Sequence, residues 1–250
     1  MQIDRKLMKK YAIQSLHTYK PNPLLSSLIY CFVVFLLDLL RTRIINMDID
    51  IYSLIRNIYA QDYSAFFSTL NGFNPSATSI ILVLAIEIVT SVIYVGFLYY
   101  SINIIRNYRA TVGTIFDVFE IIWKIIWLNI LKSIFVILWS LLLIVPGIIA
   151  IYKCRYAEFI MFDNPDFSAY KCIRESTRIT TGYKSQLFIL DLSFLGWYLL
   201  TSLPIVGYFI NIYVLPYVTF TNSYFYEILR KENNMPAFNG EQVYDEDIEF

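Results

Sequence analysis

Twenty-four consecutive residues, Ser79 to Ile102, carry a single charge, Glu87. As a helix this run measures about 36 Å, more than the roughly 30 Å of hydrocarbon in a bilayer. A helix satisfies its own backbone donors and acceptors, which is what a segment in lipid must do. Apolar stretches at 24–40, 121–152, 187–203 and 208–229 repeat the pattern. The chain is 57% hydrophobic and 16% charged, where a soluble domain carries roughly a quarter charged residues. Its 21 Tyr and 19 Phe suit long membrane–water interfaces, where amphipathic rings settle. The expectation is an all-α polytopic transmembrane bundle.

The stretch from Ile121 to Tyr152 decides the topology. It is too long for one simple span and contains Pro146-Gly147. If one span, 133–152, crossed the membrane, the basic residues between Lys171 and Lys184 would lie opposite the basic N-terminus, against the positive-inside tendency. A hairpin turn at Pro146-Gly147 removes the conflict. Six spans follow, at about 24–40, 79–102, 128–145, 147–163, 187–203 and 208–229, flanked by an N-terminal segment (1–23) and a tail (230–250). With both ends in the cytoplasm, 14 of the 20 Lys and Arg lie inside and three outside, and three more fall within spans. Trp139 precedes Pro146 by seven residues and Trp197 precedes Pro204 by seven. That echo fits either two related hairpins or chance in a biased sequence.

Residues 2–20 read as an amphipathic helix at the membrane interface. Apolar rows Ile3, Leu7, Tyr11 and Met8, Ala12, Leu16 alternate with Lys6, Lys9 and Lys10, which are candidates for lipid headgroup contact. Pro21 and Pro23 end it. No cleavable leader is expected, because the apolar stretch begins only at Leu24. Residues 41–78 form a polar connection with a surface-helix rhythm at Ile51, Leu54, Ile55 and Ile58, before Asn71-Gly72 and Asn74-Pro75.

Between spans 4 and 5, Asp163-Asn164-Pro165 precedes a helical pattern running to Gly182. Asn164 suits an N-cap, Pro165 the first helical position, and Gly182 a left-handed residue past the last turn. Ala169, Cys172, Ile173, Ser176 and Ile179 share one face. Lys171, Arg174 and Arg178 share another, and Arg174 and Arg178 are further candidates for headgroup contact. Charges at membrane depth are costly and face the bundle interior or water. Glu87, Lys153, Arg155, Glu158 and Asp191 form the candidate polar network, either as a pathway or as packing pairs. The matched depths of Glu87 and Arg155 or Lys153 suggest a pair between them.

Other chemistry is sparse. Cys31, Cys154 and Cys172 form no Cys-x-x-Cys pair, and His17 is the single histidine. No metal site, cofactor or disulfide framework is expected. There is no Gly-x-Ser-x-Gly or phosphate-cradling Gly-rich loop, so no enzyme is expected. The net charge of zero gives no reason to expect nucleic acid.

The segment from Leu142 to Leu229 resembles the bacterial integral membrane family known as domain of unknown function 975. The resemblance rests on Ile144 to Ile149, Asp163-Asn164-Pro165, Ser176, Gly182, Lys184, Leu187-Phe188, Leu192 to Trp197, Pro216-Tyr217 and Phe225-Tyr226-Glu227. Asp4-Arg5-Lys6-Leu7 and Ala12 extend it. The chain departs from the family pattern at Tyr183 and Ser185. It is also similar to the membrane region of some glycerophosphodiester phosphodiesterases, without their catalytic domain. The resemblance implies a multi-pass protein of the bacterial cell membrane and no established activity. Two function classes stay open: a non-enzymatic scaffold or regulator, and a small transporter or transporter subunit. Membrane lipid is the expected partner, with other membrane proteins or a second copy as alternatives.

Overall fold

The computed structural model describes residues 3–19, 22–48, 56–65, 68, 76–108, 110–203 and 206–237. Within these the regular elements are helices. The expected turns at Asn71-Gly72 and Asn74-Pro75, and most of the 51–58 rhythm, lie outside the described residues. The chain divides into two compact units, Met1–Cys31 with Val92–Phe250, and Phe32–Ser91.

Helix α1 (Arg5–Thr18) is capped by Asp4, whose carboxylate accepts from the Lys6 and Leu7 amides. One of the two apolar rows is buried: Met8, Ala12 and Leu16. They pack on the last helix, α10 (Val206–Glu232). Ser15 and Tyr224 hydroxyls meet at 2.8 Å, and the Ile3 amide donates to Gln186 at 3.0 Å. Leu7 and Tyr11 of the other row stay exposed. The helix is therefore docked on the protein through one face and offers the other outward.

Two long apolar helices follow, α2 (Pro23–Asp48) and α3 (Ala77–Ile105). A pair of 3-10 turns leads into α4 (Ile122–Leu142). Among the described residues three segments are long and apolar enough to cross a membrane: Pro23–Ile45, Ala77–Ile105 and Val112–Leu142. The surface agrees, since Ile81, Leu84, Trp123, Ile137, Leu138, Leu141, Ile144 and Phe209 are all exposed. So many exposed large apolar side chains fit lipid rather than water.

The hairpin after α4 turns on one extended residue, Leu143 (φ −164°, ψ 154°), before α5 (Ile144–Cys154). The turn thus comes three residues earlier than Pro146-Gly147 suggested. Pro146 sits in the first turn of α5, where its missing N–H removes no intrahelical bond. Gly147 lets α5 close on α4, since a Cβ there would stand 2.3 Å from Ser140 Oγ.

The expected single helices at 147–163 and 187–203 are each two. The first is α5 followed by α6 (Ala157–Asp163). The second is α8 (Lys184–Leu192) followed by α9 (Leu195–Thr201). Between them lies α7 (Ala169–Ile179), with Ala169, Cys172, Ile173, Ser176 and Ile179 buried as the pattern predicts and Lys171, Arg174 and Arg178 exposed. Its N-cap is Ser168, which accepts from the Lys171 amide, and not Asn164. Pro165 forces the residue before it out of helical geometry. Asn164 (φ −135°, ψ 77°) accordingly closes α6, its side-chain amide donating to the Ile160 carbonyl at 3.2 Å. Gly182 has φ +90°, the left-handed geometry expected of it.

Candidate functional site

The two helix breaks, at Arg155-Tyr156 and Ser193-Phe194, are where polar side chains gather. Neither contains proline. At the first, the Ser176 hydroxyl donates to the Lys153 carbonyl at 2.7 Å and accepts from the Tyr156 amide at 3.1 Å. One buried side chain from α7 thus satisfies backbone groups freed by the break. At the second, Lys9 from α1 donates to the Ser193 carbonyl at 3.2 Å. Its ammonium stands 3.9 Å from the Phe194 ring centroid, a cation at a helix C-terminus.

Arg155 ties the breaks together. It donates to both Asp191 oxygens at 2.6 and 2.7 Å and to Asn222 Oδ1 at 2.8 Å. The Tyr152 hydroxyl donates to Asp191 at 3.0 Å. Bidentate pairing of this kind fixes direction as well as charge.

The remaining network residues have separate partners. Glu158, which is buried, pairs with Lys132 of α4. Lys153 lies over the Trp139 ring, 4.8 Å from its centroid. Glu87 accepts from Arg41 at 2.9 Å, and Arg41 also pairs with Asp38, all within Phe32–Ser91. Glu87 thus has Arg41 as its partner within that unit, and Arg155 has Asp191 within the other. Depth along a helix says nothing of direction around its axis, which decides the partner.

A second cluster lies where α3, α6 and α10 end. Arg106 donates to Asp163 at 2.5 and 2.8 Å and to Glu227 at 2.6 Å. Tyr226 donates to Asp163 at 2.6 Å, and Arg230 donates to Glu227 at 2.8 Å. The Arg106, Asp163 and Glu227 side chains are 8%, 1% and 9% exposed. Burial alone would lower the Arg106 pKa, but the Asp163 and Glu227 carboxylates outweigh it and raise it above the ordinary value. Pro165 adds its carbonyl as acceptor for Lys124. Lys184 opens α8. Lys6 and Lys10 are exposed on α1, and Arg178 bonds Glu175 and Asn233.

Arg106, Lys132, Asn222, Tyr226 and Arg41 were not singled out from sequence as site residues. Lys132 and Glu158 stand 11 and 15 residues either side of Leu143, an offset of about one helical turn, so hairpin register alone did not reveal the pair. Chemically these arrangements clamp helices, since each of these acids faces a cation.

Residues 152–233 match the family described as protein of unknown function DUF975. The resemblance read from the sequence holds over that segment. No curated protein and no solved structure matches the chain. The DUF975 segment supplies Glu158, Asp163, Asp191 and Glu227, together with Arg155 and Ser176. Arg106, Lys132 and Lys9 reach it from outside, so the pairing joins the matched segment to the rest of the chain.

Proposed function

We propose that the chain is a multi-pass protein of the bacterial cytoplasmic membrane that acts as a non-enzymatic scaffold or regulator, with both ends in the cytoplasm. The observation that carries this reading is the pairing of its buried and half-buried charges. Arg155 with Asp191, Lys132 with Glu158, and Arg106 with Asp163 and Glu227 neutralise one another within hydrogen-bond distance. A transport pathway needs polar groups that can exchange partners with a passing solute, and a structural lock needs them satisfied by each other. The helix breaks alone would suit a transporter, where discontinuous helices bind substrate. Here Ser176 and Lys9 satisfy break backbone groups that a substrate would need.

Hydrogen exchange in lipid nanodiscs tests the choice. A locked bundle protects the amides of 155–157 and 191–194 for as long as the middle of α10. Fast exchange at both breaks, with slow exchange in α10, would mean water reaches them and would favour the transporter.

A further inference from the structure

Three cations meet at a cavity that the charge pairs do not touch. It has a volume of about 520 Å³ and is lined by Ile3, Asp4, Arg5, Lys6, Lys9 and Ser193. Its one carboxylate, Asp4, is committed to capping α1 through the Lys6 and Leu7 amides. Lys9 is fixed against Ser193 and Phe194. Burial, and then the neighbouring Arg5 charge, lower the Lys9 pKa, and the three cations outnumber the one carboxylate of the lining. Among the described residues Arg5 and Lys6 have no acidic partner within ion-pair distance.

We propose that this cavity binds the phosphate of an anionic phospholipid headgroup, with Arg5 and Lys6 as the binding cations and Lys9 as its fixed wall. A guanidinium presents paired donors that match phosphate oxygens, and an ammonium adds a point charge. The surroundings of the cavity favour a lipid over a free anion. Helix α9, starting just beyond Ser193, exposes Leu195 and Leu199, and α1 exposes Leu7 and Tyr11, apolar surface that acyl chains would cover. Lys10, outside the cavity lining, has no part in the site. The headgroup source rests on the membrane reading above. The binding itself is measured on solubilised protein, so an error in sidedness, which labelling tests separately, leaves it untouched.

The test is a titration of the full chain in neutral detergent with phosphatidylglycerol, phosphatidylcholine and soluble glycerol phosphate, read by native mass spectrometry. Phosphatidylglycerol should bind the parent most tightly. R5Q/K6Q should weaken it about tenfold or more, at roughly one headgroup attraction per charge removed. K10Q and R174Q/R178Q should not change it, and R5K/K6R should retain it. If R5Q/K6Q does not fold, the exposed K6Q alone should weaken binding severalfold. Equal affinity for phosphatidylcholine, or an equal loss in K10Q, would overturn the site in favour of diffuse surface attraction. Glycerol phosphate binding as tightly as the lipid would overturn the lipid source.

Discussion

Ser176 shows how one hydroxyl can hold a helix break closed. It serves as donor to Lys153 and acceptor for Tyr156 at once, and it is fully buried. Ser176→Ala would leave both backbone groups without that partner, a cost of about 1–3 kcal/mol. The expected readouts are a lower thermal midpoint and faster exchange of the Tyr156 amide. Unchanged exchange there would mean the break is held by packing alone. The sequence placed Ser176 on the buried face of its helix, but not its partners, because contacts 20 and 23 residues away leave no local signature. Gly182 was legible because left-handed geometry has a local cause. Its Cβ position meets nothing within 4 Å, so the cost of substitution is backbone strain alone. Gly182→Val should destabilise by about 1–2 kcal/mol and Gly182→Asn by less, checked by thermal unfolding. Asn164 was misplaced as a cap because its carbonyl closes a turn with the Phe167 amide, so the helix starts four residues later, at the Ser168 cap. Ser168→Ala should cost about 1 kcal/mol and Asn164→Ala less.

At the scale of elements, apolar length identified where helices lie but not where they break. The breaks at Arg155-Tyr156 and Ser193-Phe194 carry no proline, so no local rule announces them. They exist because side chains from α7 and α1 offer the freed backbone groups other partners. The same limit explains the network. Period and depth picked out Arg155, Glu158 and Asp191, but which charge faces which depends on rotation about each helix. The geometry makes this measurable. Arg155→Met or Asp191→Leu alone should each lower the thermal midpoint, because each strands a half-buried charge. The double variant should cost less than the sum. In the same cycles Glu87 with Arg41 should couple, since they meet at 2.9 Å. Additive effects there would mean that the contact adds nothing to stability.

At the scale of the molecule, the Arg106 cluster constrains the path of the chain through a membrane. Arg106 follows α3, Asp163 ends α6, and Glu227 lies near the end of α10, and all three meet within 2.6 Å contacts. Buried ion pairs of this length put these three points on the same side. Any crossings between 106 and 163, and between 163 and 227, are then even in number, zero included. One hairpin satisfies the first interval, α4 out and α5–α6 back. A second satisfies the other, α8–α9 out and α10 back. A single span at 133–152 would separate Arg106 from Asp163. The six-span path expected from charge counting is one that meets this condition, and side preference is carried by basic residues in loops. Cysteine labelling with an impermeant reagent decides it, and the native background is low because Cys31, Cys154 and Cys172 are all buried. Tyr59, 85% exposed, lies in the connection assigned to the outside, so Tyr59→Cys should label in intact cells. Lys171→Cys and Arg174→Cys, on the exposed face of α7, should label only after permeabilisation. Labelling of position 174 in intact cells, with Tyr59→Cys protected, would invert the orientation. Labelling of both would break the even count that the Arg106 cluster requires, and the six-span path would fall with it.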